Sequence, residues 1–244
     1  MDTPQPTVEE MQARVLHRDG LMLVVDKPAG IAVHKGPKGG PNLEASFDAL
    51  RYGLPRPPVL AHRLDRDTSG CLVLGRHRKA TASLGLLFKH GKIGKTYWAV
   101  VEGGPAENEG EIDIALGRLD AERGWWQKPD PNGLPSQSRW SVMGRGDGLT
   151  WLALEPITGR THQLRVHCAA MGFPIVGDNI YGNGQRFGEP SLHLHSREII
   201  VPLSKNKPPV RVAAPVPAHL QERLRACGWN GEDVEMPEQA VSHA

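Results

Sequence analysis

The run AHRLDRDTSGCLVLG, residues 61–75, sets the carboxylate of Asp65 between Arg63 and Arg66, with Asp67 close behind and an apolar stretch following. Positive charge on both sides stabilises an ionised carboxylate. Asp65 is therefore suited to act as a nucleophile or an electrostatic stabiliser and ill suited to act as a general acid. A solvated surface charge run explains the same letters, and a loop aspartate taken alone is structural more often than catalytic. Thr68-Ser69-Gly70 completes a tight polar turn able to hold the loop rigid.

A second cluster lies in GRTHQLRVHCAAMGFPIVGD, residues 159–178. A helix starting near Thr161 puts His162 and Arg165 three residues apart on one face, with Leu164 and Cys168 on the apolar side. Arg160 and Arg165 carry forked guanidinium groups suited to phosphate or to a carboxylate partner. An ordinary amphipathic helix with solvated arginines is the bland alternative. A metal site does not fit, because His162 and His167 are five apart and no nearby acid completes a ligand set. In KTYWAV, residues 95–100, Tyr97 and Ala99 share one strand face and Trp98 takes the other. Such a tyrosine is usually core, but beside a basic site it can serve as a stacking surface for a base. His193 and His195 in LHLHSREI share a strand face and read as structural.

The elements that must position these groups follow from pattern. Val15–His17 and Leu21–Val25 read as strands split by Asp19-Gly20, and IAVH after Lys27-Pro28-Ala29-Gly30 reads as another. Asn42 caps a helix running to about Tyr52. Cys71–Leu74 is a buried-type strand and Lys79–Lys89 has helical spacing. Strands follow at Lys95–Val101 and Ile112–Leu116, then a long surface loop at Arg118–Pro135. Arg139–Met143 and Leu149–Leu154 form a hairpin, and a helix covers about Thr161–Met171. Short strands at Leu192–His195, Ile199–Val201 and Val210–Ala213 precede a helix at Ala218–Cys227. Strands lie mostly next to strands, which argues for α+β with a largely antiparallel sheet. Residues 1–12 are expected to form a flexible tail, 13–230 one catalytic domain, and 231–244 an acidic disordered tail.

Composition narrows the class. The chain has 244 residues, 39% hydrophobic and 23% charged, as expected of a soluble globular protein. No apolar run approaches the roughly 18 residues that span a bilayer. The acidic, proline-containing N-terminus lacks a signal-peptide core, so a cytoplasmic location is expected. Cys71, Cys168 and Cys227 are far apart, which fits reduced, buried thiols rather than a zinc ribbon or a disulfide framework. Net charge is only +2. Yet between Arg51 and Lys95 there are ten Lys or Arg residues against two acids, Asp65 and Asp67, the electrostatic footprint of a phosphate-backbone binder.

The order HRLDRDTSG, KTYWAVVEG, GRTHQLRVH with GFPIVGD, and a terminal LHLHSREI resembles the RluA-type pseudouridine synthases (the RluA/RluC/RluD family). KPAGIAVH is similar to that family's opening strand and turn. The resemblance covers about residues 13–220 and is nearest the small single-domain members. It implies an α+β pseudouridine synthase fold whose mixed, largely antiparallel sheet is divided by a central catalytic cleft. It implies that Asp65 is the catalytic aspartate, that Tyr97 packs on the flipped base, and that Arg165 pairs with the catalytic carboxylate. Arg63 then enters the RNA as the uridine leaves, while His62, Arg66, Thr68, Arg160, His162 and Leu164 contact RNA or surround the site. The closing strand departs from the usual LHA pattern, and the segment with Trp125-Trp126 matches no motif.

The implied reaction is isomerisation of specific uridines in rRNA and/or tRNA to pseudouridine, by base flipping and an essential aspartate. The reaction adds and removes nothing, so no metal or other cofactor is expected. The expected partner is structured RNA, with no membrane, and the protein is expected to be a monomer. Two rivals are a catalytically inactive RNA-binding module and an RNA N-glycosidase. Glycoside cleavage usually pairs two carboxylates, and Asp67 beside arginines makes a poor acid.

Overall fold

A computed structural model of the chain describes residues 4–36, 39–120, 125–185, 188–204 and 206–234. In chain order its first half contains α1 (Val8–Ala13), β1 (Val15–Arg18), β2 (Met22–Lys27), a 3-10 helix (Leu43–Leu50), β3 (Val59–Leu60), β4 (Ser69–Gly75), α2 (Arg78–Lys89), β5 (Gly94–Glu102) and β6 (Glu109–Asp113). There follow β7 (Leu116–Arg118), β8 (Gln127–Pro129), β9 (Gln137–Gly146), β10 (Leu149–Pro156), α3 (Gln163–Ala170), β11 (Leu194–Val201), β12 (Val210–Ala213) and α4 (Ala218–Ala226). The class is α+β, as expected. The contacts group the described residues into two compact units. One is built from residues up to Lys95 with Ser196–Pro215, the other from Thr96–His195 with residues from Val216 onward.

In the first unit the strands run β1-β2-β4-β11-β12, with β3 also paired to β4. The β1–β2, β2–β4, β3–β4 and β11–β12 pairs are antiparallel. All seven residues of β4 are buried, which explains why its sequence is an unbroken small and apolar run rather than an alternating one. Cys71 and Val73 of β4 pack with Met22 and Val24 of β2, Leu84 of α2, and Ile199 and Val201 of β11. Ser196, Arg197 and Glu198 are buried too. Ser196 Oγ donates to Cys71 O, Arg197 Nη1 to Ala214 O, and Arg211 Nη1 to the Glu198 carboxylate. These bonds explain why the two short strands expected at 192–195 and 199–201 are one continuous strand.

In the second unit β5-β10-β9-β6 form an antiparallel sheet. Both faces of β5 and β10 are covered. Ala99, Val101, Leu152 and Leu154 pack with Leu164 and Cys168 of α3, while Trp98, Val100 and Trp151 pack with Leu220 and Leu224 of α4. The three cysteines are free and buried. Burial first, then the Asp26 charge, pushes the Cys71 thiol up to about 12, and burial with Asp178 does the same for Cys168.

Several expectations need correction. The flexible tail assigned to 1–12 contains α1, whose capping box joins Thr7 to Glu10 and whose Met11 is fully buried. The IAVH segment is not a strand, because Ala32 O and Val33 O accept from Leu43 N and Glu44 N at the start of the 3-10 helix instead of from a sheet neighbour. The segment assigned to a loop at 118–135 contains β8, which pairs with β7 at its start. Of the acidic tail expected at 231–244, residues 235–244 lie outside the described residues. Among the described residues no helix is long and apolar enough to cross a membrane.

Gly70 is the tightest point near the aspartate loop. Its φ is +103°, and a Cβ there would lie 2.2 Å from the backbone oxygen of Ser196. Gly70→Ala is expected to destabilise by more than about 2 kcal/mol, since strain and backbone overlap act together. Gly85, inside α2, has open space around its would-be Cβ. Gly85→Ala is expected to stabilise by about 0.5–1 kcal/mol. Urea unfolding of both variants checks the opposite signs.

Candidate active site

Asp65 lies in the loop between β3 and β4. Thr68 N donates to Asp65 O at 3.2 Å, closing a turn over the residues that follow the carboxylate. The turn is fixed from behind by Lys27, the last residue of β2, which pairs with Gly70 in β4. Lys27 is fully buried. Its Nζ donates to Arg66 O and Thr68 O at 2.8 Å each and to Pro28 O at 2.9 Å. Gly30 N adds a bond to Arg66 O at 3.0 Å. Burial pushes the Lys27 ammonium down to about 7, and the carboxylates of Asp67, Asp65 and Asp26 pull it back up. Three carbonyl acceptors match the three N–H bonds of the charged form.

His62 props the same loop. Its Nε2 accepts from Val73 N at 3.0 Å, and its ring stacks on Phe88 with centroids 4.2 Å apart. Burial, reinforced by the Lys95 charge, pushes this imidazole down to about 3, so it is neutral at neutral pH. Burial likewise pushes Lys95 down to about 8. Arg63 and Arg66 are exposed, with Arg66 Nε 3.2 Å from Asp67 Oδ1. Thr68 is 2% exposed, and its Oγ1 is buried without a hydrogen-bond partner among the described residues. The first unit thus collects His62, Arg63, Asp65, Arg66, Asp67 and Thr68 on one braced loop.

The second unit collects Tyr97, Arg160, His162, Leu164 and Arg165. Tyr97 faces Leu154 across β5 and β10 and packs, partly buried, on the cluster that contains Leu164. Arg165 is buried, and its fork grips Asp178: Nε to Oδ2 at 2.9 Å and Nη2 to Oδ1 at 2.7 Å. Asp178 is itself fully buried and also accepts from Ile180 N and Tyr181 N. Burial alone would raise its pKa. The Arg165 bonds and charge, with those amides, outweigh that and hold the carboxyl below the usual range. The Tyr181 hydroxyl lies 2.7 Å from His162 Nδ1 and accepts from Gln127 N at 2.9 Å. Gln163 folds back so that its Oε1 accepts from Thr158 Oγ1 and Arg160 N, which fixes the turn carrying the exposed Arg160.

Three of these residues carry little signal of their role in the sequence. Lys27 was visible as a lone cation ending the apolar run MLVV, and Asp178 as an acid heading the DNIYG turn. Tyr181 had no local signal. His167 is held by Ser138 Oγ and Ile114 O, and His193 by Ser191 O and Arg223.

Asp178→Asn removes the counter-charge of a buried guanidinium and should lower stability by about 3 kcal/mol or more, read by denaturant unfolding. The neutral His62 makes a pH prediction. The unfolded chain binds this proton below about pH 6.5 and the folded chain only near 3, so stability is complete above 6.5 and is lost as pH falls. Between pH 7 and pH 5 the loss from this group should approach about 2 kcal/mol. His62→Gln keeps an acceptor but cannot titrate, and its stability should fall less over the same interval.

Comparison with known proteins bears on what these groups do. The family described as RNA pseudouridylate synthase matches residues 21–170. An uncharacterized RNA pseudouridine synthase of Zymomonas mobilis is 41% identical over 208 residues, 84% of this chain and 94% of the relative. The ribosomal large subunit pseudouridine synthase C of Vibrio cholerae is 34% identical over 228 residues, 89% of this chain and 70% of the relative. Among solved structures, human RNA pseudouridylate synthase domain containing 4 aligns with a TM-score of 0.75 at 25% identity, over 95% of this chain and 97% of that one. The match spans the lysine-braced loop, β5 and all of α3, and the chain belongs to the RNA pseudouridylate synthase family, isomerases that convert uridine to pseudouridine in RNA.

Proposed function

We propose that the chain isomerises specific uridines in rRNA and/or tRNA, that Asp65 is the catalytic group, and that residues 13–230 act as one catalytic domain. The observation that carries the reading is the loop itself: a carboxylate flanked by exposed arginines and braced through a buried lysine. Such a loop meets the RNA backbone with positive charge while the position of Asp65 stays fixed. The ribosomal large subunit enzyme of Vibrio cholerae favours rRNA as the first substrate to test. A cytoplasmic monomer is the form in which we expect it to act.

The chemistry balances within the substrate. The bond between uracil N1 and ribose C1′ breaks, the base turns, and C5 bonds to C1′. C5 gives up a proton and N1 gains one, so the overall change calls for no redox partner or group donor. Asp65 acts on the sugar or base as the first bond breaks. The roles of Tyr97, against the flipped base and at the final proton removal, and of Arg165, as partner of the carboxylate, rest on their motifs. Arg165 Nη1 lies outside the Asp178 fork. Thr68 Oγ1, buried and unpartnered among the described residues, is suited to a substrate hydroxyl.

Incubation with rRNA and with tRNA from a strain deleted for the gene, followed by pseudouridine mapping, tests the reading. The wild-type chain should restore the missing pseudouridines without releasing uracil. Asp65→Asn should slow turnover at least about a thousand-fold while folding and RNA affinity persist. Free uracil as the product would indicate an N-glycosidase. One-tenth of wild-type rate in the variant would remove Asp65 from the chemistry.

A further inference from the structure

Trp125 stands apart from the other tryptophans. Trp98, Trp140, Trp151 and Trp229 are buried, whereas Trp125 is 59% exposed, and it is the only aromatic among the large hydrophobic side chains exposed in the described residues. It lies two residues before β8, on a ribbon with exposed cations at Arg118 and Lys128. Two acids flank these cations: Asp120, exposed after β7, and Asp130, which accepts from Asn132 N in its own loop at 2.9 Å.

The exposed ring is also held. Trp126 and His162 both meet it edge to face, with centroids 5.7 Å away and planes at 84° and 87°. His162 is 8% exposed and lies within hydrogen-bond distance of the Tyr181 hydroxyl, which accepts from Gln127 in β8. Tyr181 in turn donates its amide to Asp178 and lies beneath the Arg165 guanidinium at 5.4 Å. The ribbon is therefore tied to the start of α3 through Tyr181. No ring stacks parallel on Trp125 among the described residues.

We propose that Trp125 is a stacking platform for an unpaired base of the RNA, held by His162 and Tyr181. This rests on the reading that the chain binds RNA, and it adds a contact that the catalytic motifs do not supply. A rigid exposed aromatic beside cations is the arrangement that binds single-stranded nucleic acid. Each base gains from stacking while its phosphate meets positive charge. A protein partner would gain little from the flanking cations unless it were acidic, whereas RNA uses both features.

The test uses the full chain and a single-stranded oligouridylate of about 12 nucleotides, within the span such sites cover. Loss of one stacked base predicts that Trp125→Ala weakens binding about 5- to 150-fold. The slope of affinity against salt should not change, because no phosphate contact is removed; Lys128→Ala should instead flatten it. Trp125→Phe keeps a ring and should bind between the two, and should lose the part of the fluorescence quench that the oligonucleotide causes in the wild type. Equal affinity of wild type and Trp125→Ala, or a quench unchanged in Trp125→Phe, overturns the platform. If that occurs while the wild type still forms pseudouridine, the catalytic reading stands. If the wild type binds no RNA and forms no pseudouridine, both fall.

Discussion

One buried ammonium underlies the geometry of the aspartate loop. Lys27 has no exposure to water, and its three N–H bonds end on three backbone carbonyls, two of them within the loop that carries Asp65. An apolar residue of the same length would remove this donor from Pro28 O and Thr68 O, at about 1–3 kcal/mol each, and leave Arg66 O with only Gly30 N. The cation also lies in the field of Asp67, Asp65 and Asp26. A single side chain thus shapes the loop by hydrogen bonds.

The second unit solves a similar problem with a pair rather than a lone ion. Arg165 enters an apolar helix face only because Asp178 accepts both arms of its fork, and two amides complete the acceptors of Asp178. Buried pairs of this kind contribute less to stability than their short distances suggest, because desolvation opposes the attraction. Their effect is to fix orientation. The plane of the Arg165 guanidinium is set by two bonds, which leaves it little rotational freedom.

The sequence made the motif-bearing elements legible and the braces poorly so. Asp65, Tyr97 and Arg165 lie in strings whose residue types announce charge or stacking, and β4, α2, β5 and α3 follow from apolar runs and helical spacing within a few residues. Partners distant in sequence were hidden. Nothing local indicates that Lys27 reaches Thr68, 41 residues on, or that Tyr181 meets Gln127, 54 residues back. Within the loop expected at 118–135, β8 is hidden because it is three residues long and ends in proline. The merged strand β11 was read as two, because the buried charges Arg197 and Glu198 look like a break until their partners are known.

The burial of the cysteines gives the chain an internal clock for its own opening. Thiol reagents attack the thiolate, and Cys71 and Cys168 are pushed up to about 12. Labelling in the native state must therefore wait for a local or global opening. Cys71 sits on β4 in the same unit as the aspartate loop, and Cys168 on α3 beside Arg165. Each is a built-in reporter of its own unit. The ratio of their modification rates measures whether the two halves of the molecule breathe together or separately.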